Sequence, residues 1–214
     1  MKKISVAALR REYRSRGFDE TLAQADPMDQ FRQWFENALH VALPDPNAMT
    51  LATADPKARP SSRVVLLKSF DGRGFVFFTN YQSQKARQLT ENPQASLLFY
   101  WSGLDRQVRI DGLVKKTSGA ESDAYFKTRP LGSQLSAWAS PQSEVIESRQ
   151  ELESWVETVK ERYPGSVPRP SYWGGYRLVP DYFEFWQGRA ERLHDRICYR
   201  RTSKKKWSLK RLAP

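Results

Sequence analysis

Cysteine occurs once, at Cys198, and histidine only twice, at His40 and His194. A lone thiol excludes an intramolecular disulfide, and no Cys/His spacing matches a metal site, so a reducing compartment and no structural metal are expected. Long apolar runs are also missing. After Lys2 and Lys3 the stretch ISVAAL spans only six residues before Arg10 and Arg11 interrupt it, and no run approaches the ~20 apolar residues that cross a bilayer. The chain is expected to be soluble and cytoplasmic, with no membrane partner. GxGxxG, P-loop, HExxH and GxSxG signatures are absent as well, which excludes the common nucleotide-binding and hydrolase machinery.

Positive charge, by contrast, is plentiful: the formal net charge is +11 over 214 residues. Its distribution argues against a nucleic-acid partner. Residues 1–16 carry a net +5 and residues 191–214 a net +7, leaving the middle near −1, so the body is no basic slab. Seven Trp, nine Tyr and eleven Phe suit a β-rich core or a pocket for a flat ligand.

Ser5 is placed to cap a short helix over residues 5–16, with Gly17 as its stop. A second helix is better marked. Asp26 fits the N-cap and Pro27 the first turn, while Phe31, Trp34, Phe35, Ala38 and Leu39 recur with helical spacing. From Ala48 the pattern turns to β runs: MTLATA, SRVVLLKSF, then GFVFFTN across an Asp71-Gly72-Arg73-Gly74 hairpin signal. Ser83 is expected to cap a short helix that Pro93 closes, before the strands ASLLFYW and RQVRIDGLVKK. Residues 118–163 are expected to be helical, broken at Arg129-Pro130 and Ser140-Pro141. Three strand regions follow: YRLVP with DYFEFW, then RLHDRICYRR, then KWSLKRL. Strands that do not alternate as βαβ units predict a mainly β, α+β fold, an antiparallel barrel with flanking helices. Residues 1–20 are expected to form a mobile N-terminal segment and residues 21–214 a single domain.

Cations inside apolar stretches require a reason, since burying an unpaired charge is costly. Arg63 and Lys68 bracket VVLL in one expected strand, where an anion such as phosphate would explain both; strand ends reaching solvent would do so too. Their spacing of five places them on opposite faces unless a bulge intervenes. Lys85 falls at the start of a helix, a place that favours an anion, although a surface lysine would look the same. Tyr125, Arg129 and Ser133 recur every four residues, as a phosphate clamp or a solvated face. In RLHDR, strand alternation would put Arg192, His194 and Arg196 on one face beside the flat ring of FWQG. These residues by themselves indicate a site for phosphorylated, aromatic ligands.

The motifs RVVLLK, FFTN before SxKA, RQV, YFKTRP, WASPQS, WGGY, EFWQGRAERLHDR and the terminal RLAP occur in order along almost the whole chain. They resemble the pyridoxamine 5′-phosphate oxidase family, also called pyridoxine 5′-phosphate oxidase. The resemblance implies an FMN-binding split β-barrel working as a homodimer, with FMN at the subunit interface. It implies that Arg63, Val64, Val65, Leu66, Leu67, Lys68, Phe78, Thr79, Gln84, Lys85, Gln107, Gln142, Ser143, Trp186 and Arg196 line the FMN site. It further implies that Lys68, Tyr125, Arg129 and Ser133 hold the substrate phosphate, with Arg192 and His194 as catalytic residues at the substrate ring. Arg10, Arg11, Glu12 and Tyr13 would belong to a mobile segment covering it. Phe78 stands where the family commonly has Tyr, and Gln84 where it commonly has Arg.

The implied reaction converts pyridoxamine or pyridoxine 5′-phosphate to pyridoxal 5′-phosphate, by hydride transfer to flavin N5 and reoxidation by O2 to H2O2. An FMN-binding barrel acting as a flavin reductase or binding module is the alternative.

Overall fold

The structure of the protein, a computed structural model, describes residues 12, 13, 15, 17–204 and 206–214. The helix expected over residues 5–16 falls largely outside them, and Glu12, Tyr13 and Ser15 are not helical. Arg10 and Arg11 also lie outside the described residues.

Among the described residues, nine strands and five α-helices confirm a mainly β fold with flanking helices. Helix α1 (Pro27–His40) starts where the sequence predicts, with the Asp26 carboxylate accepting the Met28 N–H at 2.8 Å. Its inner face is Phe31, Trp34 and Ala38, but Leu39 is exposed and the buried Gln30 takes up part of that face. The strands are β1 (Ala48–Ala54), β2 (Pro60–Leu66), β3 (Ser69–Asp71), β4 (Gly74–Asn80), β5 (Gln94–Trp101), β6 (Arg106–Lys116), β7 (Trp173–Gln187), β8 (Asp195–Arg201) and β9 (Trp207–Arg211). Hydrogen bonding orders them β2-β1-β5-β6-β7-β4-β3, with β8 on β7 and β9 on β8. Helix α2 (Gln84–Glu91) follows β4, while α3 (Gly119–Thr128), α4 (Leu131–Ala139) and α5 (Arg149–Arg162) separate β6 from β7. The breaks between them fall at Pro130 and Pro141, as the missing N–H of proline dictates.

Three expectations about local structure are corrected. The run SRVVLLKSF is not one strand: β2 ends at Leu66 and β3 begins at Ser69, so Lys68 sits in the break rather than on an opposite strand face. Ser83 precedes α2 without capping it through its side chain, because its hydroxyl donates backward to the Asn80 carbonyl at 2.7 Å. RLHDR is not strand throughout. Glu191 and Arg192 have left-handed φ of 55° and 65° in a turn, and β8 begins only at Asp195. Strand alternation therefore does not relate Arg192, His194 and Arg196.

The residues fall into two compact units, interleaved along the chain: Met1–Pro46 with Leu97–Ile110 and Asp181–Pro214, and Asn47–Ser96 with Asp111–Pro180. The first has an aromatic core in which Trp34 packs edge-on to Phe185 at 5.2 Å and tilted against Phe18 at 4.9 Å. The second is built on β1 to β4 with α2 to α5. There the hairpin expected at Asp71 joins β3 to β4, and Asp71 pairs with Gly74. Gly74 has φ of +131°, and a Cβ there would overlap the Leu178 carbonyl, which glycine alone avoids. No helix among the described residues is long and apolar enough to cross a membrane.

Candidate active site

Within the second unit a cavity of about 550 Å³ is lined, among the described residues, by four cations, Arg63, Lys68, Lys85 and Arg129, and by no carboxylate. Such a surplus is costly unless anions offset it. Arg63 sits on β2, where Ser61, Arg63 and Val65 alternate with the more exposed Ser62, Val64 and Leu66. Register opposes Arg63 to Leu51 of β1, so its guanidinium reaches back over β1. Its Nη1 donates to Thr53 Oγ1 at 2.6 Å and its Nη2 to Ser61 Oγ at 2.8 Å. Lys85, on the first turn of α2, donates from Nζ to Gln142 Oε1 at 2.8 Å and to Thr79 Oγ1 at 3.2 Å. Burial, reinforced by the charge of Arg63, pushes the Lys85 ammonium down to about 8.

Lys68, freed from a strand, extends over the Tyr125 ring at 5.8 Å. Arg129 ends α3, donates from Nη2 to the Ser133 carbonyl at 2.8 Å, and stacks on Trp173 at 4.4 Å. The cavity's aromatic wall is a ladder: Phe78 stacks on Tyr125 at 4.0 Å and on Trp173 at 5.5 Å. Phe78 lies opposite Gly175 in the β4–β7 register, and a Cβ at Gly175 would come within 2.9 Å of its ring. The second glycine of WGGY thus makes room for the stack.

Of the predicted residues, Arg63, Val64, Val65, Leu66, Lys68, Phe78, Thr79, Lys85, Tyr125, Arg129, Ser133 and Gln142 line this one cavity. Leu67 instead is a core residue, and Gln84 and Ser143 are exposed outside the lining, Ser143 with φ of 78°. Thr128, Pro130 and Trp173 also line it and were not anticipated; the aromatic spacing of YWGGY was the available signal for Trp173.

Among the described residues, Glu12, Tyr13, Gln107, Trp186, Arg192, His194 and Arg196 belong to the first unit. Trp186 packs against His194 at 4.7 Å, and Tyr13 stands edge-on to both, at 5.6 and 5.3 Å. His194 Nδ1 accepts the Arg189 backbone N–H at 3.1 Å. Burial, then the neighbouring Arg192, hold its imidazole below the ordinary histidine value, against the pull of Asp195. Arg192 is exposed and Gln107 half-buried. Arg196 donates from Nε to Glu184 Oε1 at 2.7 Å and from Nη1 to the Ala213 carbonyl at 2.7 Å. Glu184, 4% exposed, also receives Arg109 Nη2 at 3.1 Å and Tyr182 OH at 3.2 Å. Burial would raise this carboxyl, but the two arginines outweigh it and hold it below the usual range. A buried acid inside an apolar strand was the overlooked signal here.

Residues 35–163 match the family model described as pyridoxamine 5′-phosphate oxidase, and residues 173–214 match that of the pyridoxine 5′-phosphate oxidase C-terminal dimerisation region. The chain belongs to the pyridoxamine 5′-phosphate oxidase family. Among curated relatives, a pyridoxine/pyridoxamine 5′-phosphate oxidase of Burkholderia lata is 56% identical over 212 residues, covering 98% of this chain and 99% of its own length. One of Bordetella avium is 54% identical over 211 residues, covering 99% of this chain and all of its own. Of solved structures, PhzG from Burkholderia lata in complex with tetrahydrophenazine-1-carboxylic acid matches with a TM-score of 0.85 at 33% identity, over 89% of this chain and 94% of that one. An FMN-binding protein from Nostoc punctiforme related to the oxidase matches with a TM-score of 0.69 at 21% identity, over 90% of this chain and all of that one. The family's split-barrel fold is thus the fold of this chain.

Proposed function

We propose that the protein is an FMN-dependent oxidase that converts pyridoxamine 5′-phosphate and pyridoxine 5′-phosphate to pyridoxal 5′-phosphate, with O2 as acceptor and H2O2 as product. The observation that carries this reading is the cavity with four cations and, among the described residues, no acid, walled by stacked aromatics. FMN and the substrate each bring a phosphate and a flat ring, and the donor set divides naturally between two such anions. Arg63, Lys85, Thr79 and Gln142 would hold FMN, together with the backbone of β2 and of Phe78. Lys68, Tyr125, Arg129 and Ser133 would hold the substrate phosphate.

Bound FMN would supply the redox chemistry, accepting a hydride from the substrate and returning the electrons to O2. The chain's own residues bind and orient. The phosphate clamp fixes the distance of the substrate ring, and Arg192 and His194 align it. His194, neutral at Nδ1 and accepting there, would present its Nε2 proton as a donor. Trp186, Arg192, His194 and Arg196 fall within residues 173–214, the part matching a dimerisation region. That supports a homodimer in which one copy's first unit completes the cavity of the other, with Gln107, Gln84 and Ser143 as further FMN contacts.

A phenazine-type substrate is the second reading, since PhzG holds a tetrahydrophenazine carboxylic acid on a closely similar fold. The second pair of cations favours a phosphorylated substrate over it. The test is to load the purified protein with FMN and supply pyridoxine 5′-phosphate, pyridoxamine 5′-phosphate or tetrahydrophenazine-1-carboxylic acid under air. H2O2 and an aldehyde product from the first two are expected. Bound flavin without turnover would point to a reductase or binding module, and turnover of the tricyclic acid alone to the second reading.

A further inference from the structure

We propose that Gln88 is a positioning residue that aims the anion-binding edge of Arg63, acting through the hydroxyls of Thr53 and Ser61. The inference rests on the reading of Arg63 as a ligand of the FMN phosphate. Gln88 lies on the inner face of α2 and is 8% exposed; it does not line the cavity. Its Oε1 accepts two hydroxyl protons, from Thr53 Oγ1 at 2.6 Å and from Ser61 Oγ at 2.8 Å. A carbonyl oxygen has only lone pairs to offer, so both hydroxyls must spend their single proton on it. Their own lone pairs are then committed to the opposite side, where Arg63 donates to the same two oxygens, Nη1 to Thr53 at 2.6 Å and Nη2 to Ser61 at 2.8 Å.

A guanidinium has five N–H groups and no acceptor. The two on Nη1 are taken by Thr53 Oγ1 and by the carbonyls of Leu51 and Ser61, each at 3.2 Å. One on Nη2 is taken by Ser61 Oγ. The Nε–H and the other Nη2 N–H have no protein partner among the described residues, and two donors on two nitrogens of one planar group match two oxygens of one phosphate. Without the Gln88 acceptor each hydroxyl is free to turn its proton toward Arg63, removing the acceptor that fixes the plane. Positive charge would remain in the cavity, but not its direction.

The test compares FMN with riboflavin, which lacks the phosphate, by fluorescence titration of the full-length protein stripped of flavin. Wild type is expected to favour FMN. Gln88→Leu should lower that preference about tenfold, the worth of one charge-assisted hydrogen bond, with riboflavin affinity unchanged. Gln88→Glu, which keeps an acceptor, should retain the preference within about threefold. If Gln88→Leu does not fold, Ser61→Ala carries the same comparison and should also lower the ratio. A wild-type ratio in these variants, or equal weakening of both flavins, would overturn the positioning role while leaving Arg63 as a phosphate ligand. A wild type indifferent to the phosphate would overturn the reading of Arg63 itself, and this inference with it.

Discussion

His194 Nδ1 accepts the backbone N–H of Arg189 at 3.1 Å, which places the proton of the neutral ring on Nε2. Protonating the ring would set Nδ1–H against that N–H, the same direction as the effects of burial and of Arg192. The imidazole should therefore titrate below 6.5, and its neutral Nε2–H tautomer should dominate at neutral pH. Nitrogen-detected NMR of labelled histidine reads both quantities. A midpoint above 6.5 or an Nδ1–H tautomer would contradict the geometry.

Lys85 lies near Arg63 and is pushed down to about 8. Its charged form prevails below that pH and its neutral form above. FMN affinity should accordingly fall as pH rises past 8, approaching about tenfold per pH unit if this one charge is required. Riboflavin should show no such slope. An FMN profile that stays flat to pH 9.5 would remove Lys85 from the phosphate site.

Arg63 and Arg192 stand in different surroundings, the first held by β1 and β2 in the cavity and the second exposed on the turn before β8. Arg63→Ala should weaken FMN binding, about tenfold or more for a lost bidentate phosphate contact. Arg192→Ala should leave FMN affinity within about threefold yet lower kcat/KM by about 100-fold, since misplacing the substrate ring is that costly. Flavin titration beside steady-state kinetics separates the two, and parallel behaviour would refute the division of roles.

Glu184 is buried between Arg196 and Arg109. Because its folded pKa is lowered from 4.5, the stabilisation it contributes is complete above that value and is lost as pH falls through the folded one. Glu184→Gln should cost about 2 kcal/mol at pH 7, less than a fully buried pair because both arginines keep some solvent. The cost should shrink at pH below 4. Urea unfolding at both pH values measures it, and an equal cost at each would show that charge is not the cause.

Much of the framework was determined by local chemistry and so was legible in the sequence. Asp26 and Pro27 start α1, Asp71 and Gly74 fold the β3–β4 hairpin, and Pro130 and Pro141 end helices, each through its own backbone or the nearest residues. Arg63 and Lys68 were legible too, because a charge within an apolar run demands a partner wherever the chain goes. What only tertiary structure decided were the relations between distant residues. Gln88 meets Thr53 across 35 positions, and Gln142 meets Lys85 across 57, so no local period announces either. Leu67 and Lys68 leave the β2 ladder, and Glu191 and Arg192 adopt left-handed backbone that their side chains do not favour. Propensity sees only neighbours, whereas these conformations are imposed by packing and hydrogen bonding from elsewhere in the fold.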